Sequence, residues 1–437
     1  MIETATPPSR RLVRLLAGDA TDTITDNAPS TRAYLLNVAN GACTKLAEQL
    51  ASPGLVLPWL LATIGAPAGL TGLLMPAKQV GSLMPQLVVS GAIRHLAQRK
   101  WAWVAAGTVQ ALLLSLMIPA ALWLTPVLAG WTIVGLLLAF NVASGCGSVA
   151  FQDLTGKTVA EGARGRMLAN RASIGGALTL IAGAGMRAGL GEDSSLIPLL
   201  MLVGAAALLW AMAALLFTAV PEPTSEPGEG RRIGEEMAKG MVLLRREAGY
   251  RRFLIARALL LSVEVATPFY ALYGRDLVGG GIADLGYYVL TVGAATVVAS
   301  PFWGRLADAS ARRTMVLAGL VGAAAAALAL VLPWLLEGSA LGWAYGGVFV
   351  VLGIAEAGAR LGRKTYLIDS APKDERPLYA AFANTVIGVV AAGFAALGLV
   401  VEAVGIPATL AVLGGLALVA TLASVRVPEA SQLHDAG

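Results

Sequence analysis

The sequence predicts an all-α polytopic membrane protein, with twelve transmembrane helices in two six-helix, pseudo-symmetric bundles. Three observations predict it. Of 437 residues, 57% are hydrophobic and 14% charged, against roughly one half and one quarter in a soluble globule. The apolar residues collect into twelve stretches of membrane-spanning length. Several residue groups also recur at a constant offset of about half the chain.

In chain order the spans are 35–61, 69–93, 102–124, 131–151, 168–186, 196–220, 253–273, 285–303, 314–336, 341–359, 379–401 and 405–425. Each holds enough residues to cross about 30 Å of hydrocarbon as a helix. Ahead of them, 1–32 is polar and lacks the apolar core of a signal peptide, so it reads as a cytosolic tail. The first bundle then covers 33–220, a cytoplasmic link 221–252, the second bundle 253–427, and a second cytosolic tail 428–437. In the link, Ile233, Met237, Met241 and Leu244 share one helical face, while Arg231, Glu235, Arg245 and Arg246 fall elsewhere. Such a helix lies flat on the membrane surface and tethers the bundles; a solvated linker helix fits the pattern as well.

Charges inside the spans fall almost entirely in the first, second, seventh and tenth, and the third, sixth, ninth and twelfth carry none. A charge near the bilayer centre costs about 2.5–3.5 kcal/mol even on the permissive insertion scale, so these groups must face protein or water. The pattern describes an inner wall around a solvated path and an outer wall against lipid. Lys and Arg outside the spans concentrate after even-numbered ones (Arg94, Arg99, Lys100; Lys157, Arg164, Arg166; the cluster 231–252; Arg305, Arg312, Arg313; Arg363, Lys364, Lys373, Arg376). The gaps after odd-numbered spans hold Arg187 and Arg275. The positive-inside rule therefore puts both termini in the cytoplasm, and a bacterial inner membrane is the expected location. The net charge of +5 reports topology, and nucleic acid is not an expected partner. Cys43 and Cys146 both lie inside spans, which gives no disulfide framework and no metal cluster.

The repeat rests on three anchors. Ala51-Ser52-Pro53 matches Ala266-Thr267-Pro268. Gly91, followed by Arg99 and Lys100, matches Gly304, followed by Arg312 and Arg313. Ala169-Asn170 with Ile174-Gly175 matches Ala383-Asn384 with Ile387-Gly388.

Between spans eight and nine the chain reads Gly304-Arg305-Leu306-Ala307-Asp308-Ala309-Ser310-Ala311-Arg312-Arg313. This resembles the Gly-x-Leu-Ala-Asp-x-x-x-Arg-Arg signature of the major facilitator superfamily. Span count, repeat, orientation and central link match as well, so the resemblance covers almost the whole chain. It implies a cytoplasmic gate motif in which Asp308 helps latch the outward-facing state, with Arg305, Arg312 and Arg313 as charge partners. The first copy, Gly91 to Lys100, places His95 where the Asp belongs. Span five lacks the family's Gly-x-x-x-Gly-Pro antiporter run and carries Gly175, Gly176, Gly183, Gly185 and Gly189 instead, which suit close helix packing.

Span one carries a polar stripe, Asn37, Gly41, Lys45, Glu48 and Ser52, at spacings of three and four. Span two answers with Lys78, Gln79, Ser82, Gln86 and Ser90. Lys45, Glu48 and Lys78 form either a neutralising structural network or a net-positive site for a substrate. The second half adds Arg257 and Glu264 on span seven, and Glu356 with Arg360 one turn later on span ten, a spacing that allows pairing. Glu48, Glu264 and Glu356 are the candidates for proton coupling, because a carboxylate in a partly dry cavity can exchange protons near neutrality. Glu48 and Glu264 rank first, since they nearly repeat across the halves. Pro53 and Pro268 loosen the helices just beyond them. Tyr270, Tyr273, Asn141 and Asn384 are further cavity candidates. Asp153 and Asp369 lie at loop ends near the gate arginines.

The expected function is secondary active transport of a small solute by alternating access, coupled to protons or another ion. Membrane lipid is a further partner, and the protein is expected to be monomeric. A lipid or amphiphile flippase on the same fold, or a non-transporting assembly or sensor protein, is the alternative. No Gly-x-x-x-x-Gly-Lys-Ser/Thr loop occurs, so ATP is not the direct driver. No cofactor and no enzymatic activity are expected.

Overall fold

The computed structural model describes residues 28–85, 96–159, 163–189, 195–224, 233–279, 281–372 and 375–429. Its helices are α1 (Ala28–Leu50), α2 (Val56–Thr63), α3 (Ala68–Leu83), α4 (Lys100–Trp123), α5 (Pro126–Thr158), α6 (Arg164–Gly189) and α7 (Leu196–Thr218), then α8 (Ile233–Arg246) in the link. The second half holds α9 (Ala248–Val265), α10 (Thr267–Val278), α11 (Ile282–Ala309), α12 (Ala311–Leu335), α13 (Gly338–Ser370), α14 (Arg376–Gly393) and α15 (Leu397–Val425). Among the described residues, eight helical stretches are long and apolar enough to cross a membrane. Spans one, two and five fall outside that set for local reasons. Span one is broken into α1 and α2, the residues after α3 are not all described, and α6 is Gly-rich and charged. Spans eleven and twelve run together, yet Gly405 interrupts them at φ 82, a conformation that only glycine takes at little cost.

Both expected breaks occur. Pro53 lacks the amide hydrogen that would continue α1, and the Ser52 hydroxyl accepts a hydrogen bond from Gly54 N at 3.3 Å. In the second half, α9 ends and α10 begins at Ala266, with Pro268 in the first turn of α10.

Helix packing repeats between the halves. In the first, α4 packs on α5 and α7, α3 on α5, and α1 on α6 and α7; in the second, α12 packs on α13 and α15, α11 on α13, and α9 on α14 and α15. The halves meet along α6 with α11 and α3 with α14 and α15. The helices that carry the charge-free spans are the outer wall: α4, α7, α12 and α15 expose Leu112, Leu208, Leu320 and Leu422. Trp123 and Trp334, at helix ends, are 81% and 88% exposed, as amphipathic rings are where hydrocarbon gives way to water.

One face carries the start of α1, the link helix and Glu429, and is called the link face below. There each half is stapled by a carboxylate from an equivalent Val-Pro-Glu segment. Glu222 accepts from the backbone amides of Arg99 and Lys100 at 3.0 and 2.8 Å, satisfying free N–H groups at the start of α4. Glu429 accepts from the Ser310 hydroxyl at 2.9 Å and pairs with Arg312 at 2.9 Å at the start of α12. The link helix docks on α9 and α14 of the second half, where Gly240 leaves room for the Phe382 ring. Its buried side therefore centres on Gly240 and Leu243, and Met241 is 43% exposed.

Candidate functional site

The two helix breaks meet where the bundles face each other: a Cβ built on Gly54 would stand 2.9 Å from Thr267 Cγ2. On the link side of this meeting point lie the charged groups of both halves.

In the first half, Lys45 and Glu48 pair at 2.8 Å with side chains 50% and 44% exposed. The bundles are thus parted at this depth, leaving a cleft open to solvent. The inner part of the span-one stripe serves a residue that the span-by-span charge reading passed over. Arg171 of α6 is buried, donates to Asn37 O at 2.5 Å and lies over the Phe151 ring at 4.4 Å. Its chain occupies the place a Cβ on Gly41 would take, which explains a glycine in a polar stripe. Arg171 sits inside the expected fifth span, so the cost of a charge in hydrocarbon was the signal that could have found it.

In the second half, buried Glu264 accepts from Gln79 Nε2 at 2.7 Å and from Arg363 Nη2 at 3.1 Å. The Gln79 bond crosses between the bundles. Arg257, also buried, donates to Asn384 Oδ1 at 2.7 Å. Glu356 accepts the Thr267 hydroxyl, and among the described residues it makes no ion pair with Arg360. Their spacing allows pairing, but Thr267 from a neighbouring helix occupies the carboxylate, and Arg360 is exposed.

Arg363 and Lys364 were read as residues of the gap after span ten. Instead α13 continues to Ser370, so Glu356, Arg360 and Lys364 form one stripe at four-residue spacing. Lys364 lies close enough to Lys45 for their charges to interact across the cleft. Lys78 is exposed, has no hydrogen-bond or ion-pair partner among the described residues, and acts electrostatically on Glu48, Glu264 and Glu356. Cations outnumber carboxylates here: Lys45, Lys78, Arg171, Arg257, Arg360, Arg363 and Lys364 stand against Glu48, Glu264 and Glu356.

Other candidates lie elsewhere. Tyr270 is 2% exposed and its carbonyl accepts the Tyr345 hydroxyl at 3.1 Å, within the packing of the far face. Tyr273 packs edge-on against Tyr345. Asn141 is buried, bonded to its own helix at Leu137 O and packed against Gly81. Gln86, Ser90 and His95 lie outside the described residues. In the gate motif Gly304 is half-buried, Arg313 is exposed, and Arg312 serves Glu429. Asp308 is exposed and forms no ion pair among the described residues. Asp153 bridges to Arg99 and, at 3.0 Å, to Lys157.

Opposite the link face, the bundles are joined. Arg187 of α6 reaches Asp284 of α11 at 3.4 Å and stacks over Trp343 of α13 at 4.7 Å. Trp59 of α2 meets Tyr288 of α11 edge-on, centroids 6.0 Å apart. Beside them α6 and α11 touch through glycines: a Cβ on Gly286 would lie 2.7 Å from Arg187 N. Among the described residues no ion pair joins the bundles on the link face.

A polytopic helical protein with two matched bundles around a charged cleft, sealed at one face, has the architecture of a membrane transporter. Solved structures share the fold. A nucleoside transporter, NupG, superposes with a TM-score of 0.68 at 12% identity, over 90% of this chain and 99% of that one. A D-xylose-proton symporter gives 0.66 at 15% identity, over 92% and 98%. A POT family transporter in complex with a thioalcohol-conjugated peptide gives 0.65 at 11%, over 88% and 94%.

The fold is that of the major facilitator superfamily, and residues 261–436 match the family described as Major Facilitator Superfamily. Among relatives in sequence, the uncharacterized protein Rv2209 of Mycobacterium tuberculosis is 27% identical over 418 residues, covering 90% of this chain and 76% of its own length. The uncharacterized protein Mb2232 of Mycobacterium bovis matches to the same extent.

Proposed function

We propose that this protein is a secondary active transporter that carries a small solute across a bacterial inner membrane by alternating access, coupled to protons through Glu356. One observation carries the reading: contacts between the bundles seal the far face, while the charged cleft is open toward the link face. With the link face and both termini in the cytoplasm, as the positive-inside rule requires, this is an inward-open arrangement. Asp308, unpaired here among the described residues, then becomes a contact of the opposite, outward-open arrangement.

Of the three carboxylates, Glu48 and Glu264 each hold a cation within 3.1 Å. Glu356 is held by a neutral hydroxyl from the α9–α10 joint, with Arg360, Lys78 and Glu264 around it. Movement at that joint changes what Glu356 contacts, and so couples its proton to the state of the cleft.

Spin labels at Thr125→Cys and Glu337→Cys read the far face, and Gln152→Cys and Ala309→Cys the link face, in a Cys43→Ser, Cys146→Ser background. The two distances are expected to change in opposite senses when pH is varied, and Glu356→Gln to remove that pH response. Distances that move together, or at neither face under any condition, refute the proposal.

A further inference from the structure

The cleft has more positive charge than its own carboxylates can balance, and the excess is divided between the bundles. Lys45 and Lys78 stand on the first, Arg360 and Lys364 on the second, and of these only Lys45 has an ion-pair partner among the described residues. All four are exposed. Cations retained at such depth without partners are held by water while the cleft is open. Closing the link face removes that water and brings like charges together across the cleft. A counter-charge must enter with closure, and because the excess sits on both sides, one negative charge does not suffice.

We propose that the substrate is a small organic anion with at least two negative charges, a dicarboxylate or a phosphate monoester, bridged between Lys45 and Lys78 on one bundle and Arg360 and Lys364 on the other. This rests on the transporter reading and names its substrate class. A phosphate monoester could also come from a lipid, phosphatidic acid, so the two sources are separated in the test.

The purified full chain in neutral detergent is melted with succinate, glycerol 3-phosphate, acetate, glycerol, or micelles doped with phosphatidic acid, at equal ionic strength set with sodium chloride. Succinate or glycerol 3-phosphate is expected to raise Tm by about 3 °C, and acetate and glycerol to leave it unchanged. Lys78→Gln and Lys364→Gln should each abolish the shift, and Lys364→Arg should keep it. Because Lys78 has no hydrogen-bond or ion-pair partner among the described residues, Lys78→Gln should leave the ligand-free Tm close to that of the wild type, whereas a structural network would lose stability. If Lys364→Gln does not fold, Lys78→Gln and Lys364→Arg decide.

An equal shift with acetate, a full shift in both glutamine variants, no shift with any soluble anion, or a shift with phosphatidic acid alone each overturns the proposal. The spin-label distances test alternating access separately, so loss of the anion assignment and loss of the transporter reading are told apart.

Discussion

Removing the Arg187 side chain should open the far face. Arg187 Nη1 lies 3.4 Å from Asp284 Oδ1, with side chains 36% and 25% exposed, and solvent at that exposure limits the ion pair to about 0.5 kcal/mol. The guanidinium also lies 4.7 Å from the Trp343 ring and 5.7 Å from Tyr287, together about 1 kcal/mol at part-exposed sites. Every one of these contacts joins α6 of one bundle to α11 or α13 of the other, so they exist only while the far face is closed. Their loss in Arg187→Ala, about 1.5 kcal/mol, changes the closed-to-open ratio roughly tenfold. A far-open state held at about 1% would rise to about 10%, within reach of pulsed dipolar spectroscopy on the 125/337 label pair. Asp284→Asn removes the ion pair but keeps the rings, and should change the ratio only about twofold. Should Arg187→Ala and wild type give superposable distributions while both proteins stay monodisperse, the latch makes no contribution and the reasoning fails.

Three further outcomes follow from other contacts. Glu222→Ala strips the amides of Arg99 and Lys100 of their acceptor and leaves Lys157, 3.7 Å away, with less compensation; a stability loss of about 1–3 kcal/mol is expected in thermal melts, and an unchanged Tm would show the staple to be idle. Glu264→Ala leaves Arg363 and Gln79 without their shared acceptor, and should cost about 2–3 kcal/mol; a melt indistinguishable from wild type would contradict that. Gly286→Ala forces a Cβ against the Arg187 amide, so it should lengthen the 125/337 distance as Arg187→Ala does; retention of the wild-type distance would mean that α6 and α11 have room to yield.

Some of this molecule was fixed in one dimension. Spans three, six, nine and twelve are bare of charge because lipid offers a charge no partner, and their helices form the outer wall. The joints at Ser52-Pro53 and Thr267-Pro268 were legible because proline has no amide hydrogen to give the helix. The helical wheel put Lys45 beside Glu48, and they pair.

Partner choice was not written there. Glu356 and Arg360 have a spacing that permits pairing, yet the Thr267 hydroxyl, 89 residues away in the chain, takes the carboxylate and frees the guanidinium. Arg171 and Arg363 hold Asn37 and Glu264 from separate helices, and the Val-Pro-Glu repeat gains meaning only when Glu222 and Glu429 reach the starts of α4 and α12. Local pattern decides which side chains can face inward, since burial cost acts on each residue alone. Which of them meet, and which face is sealed, depends on how two bundles are placed as bodies. Alternative placements differ by only a few kcal/mol, summed over contacts far apart in the chain, and only the tertiary structure holds that sum.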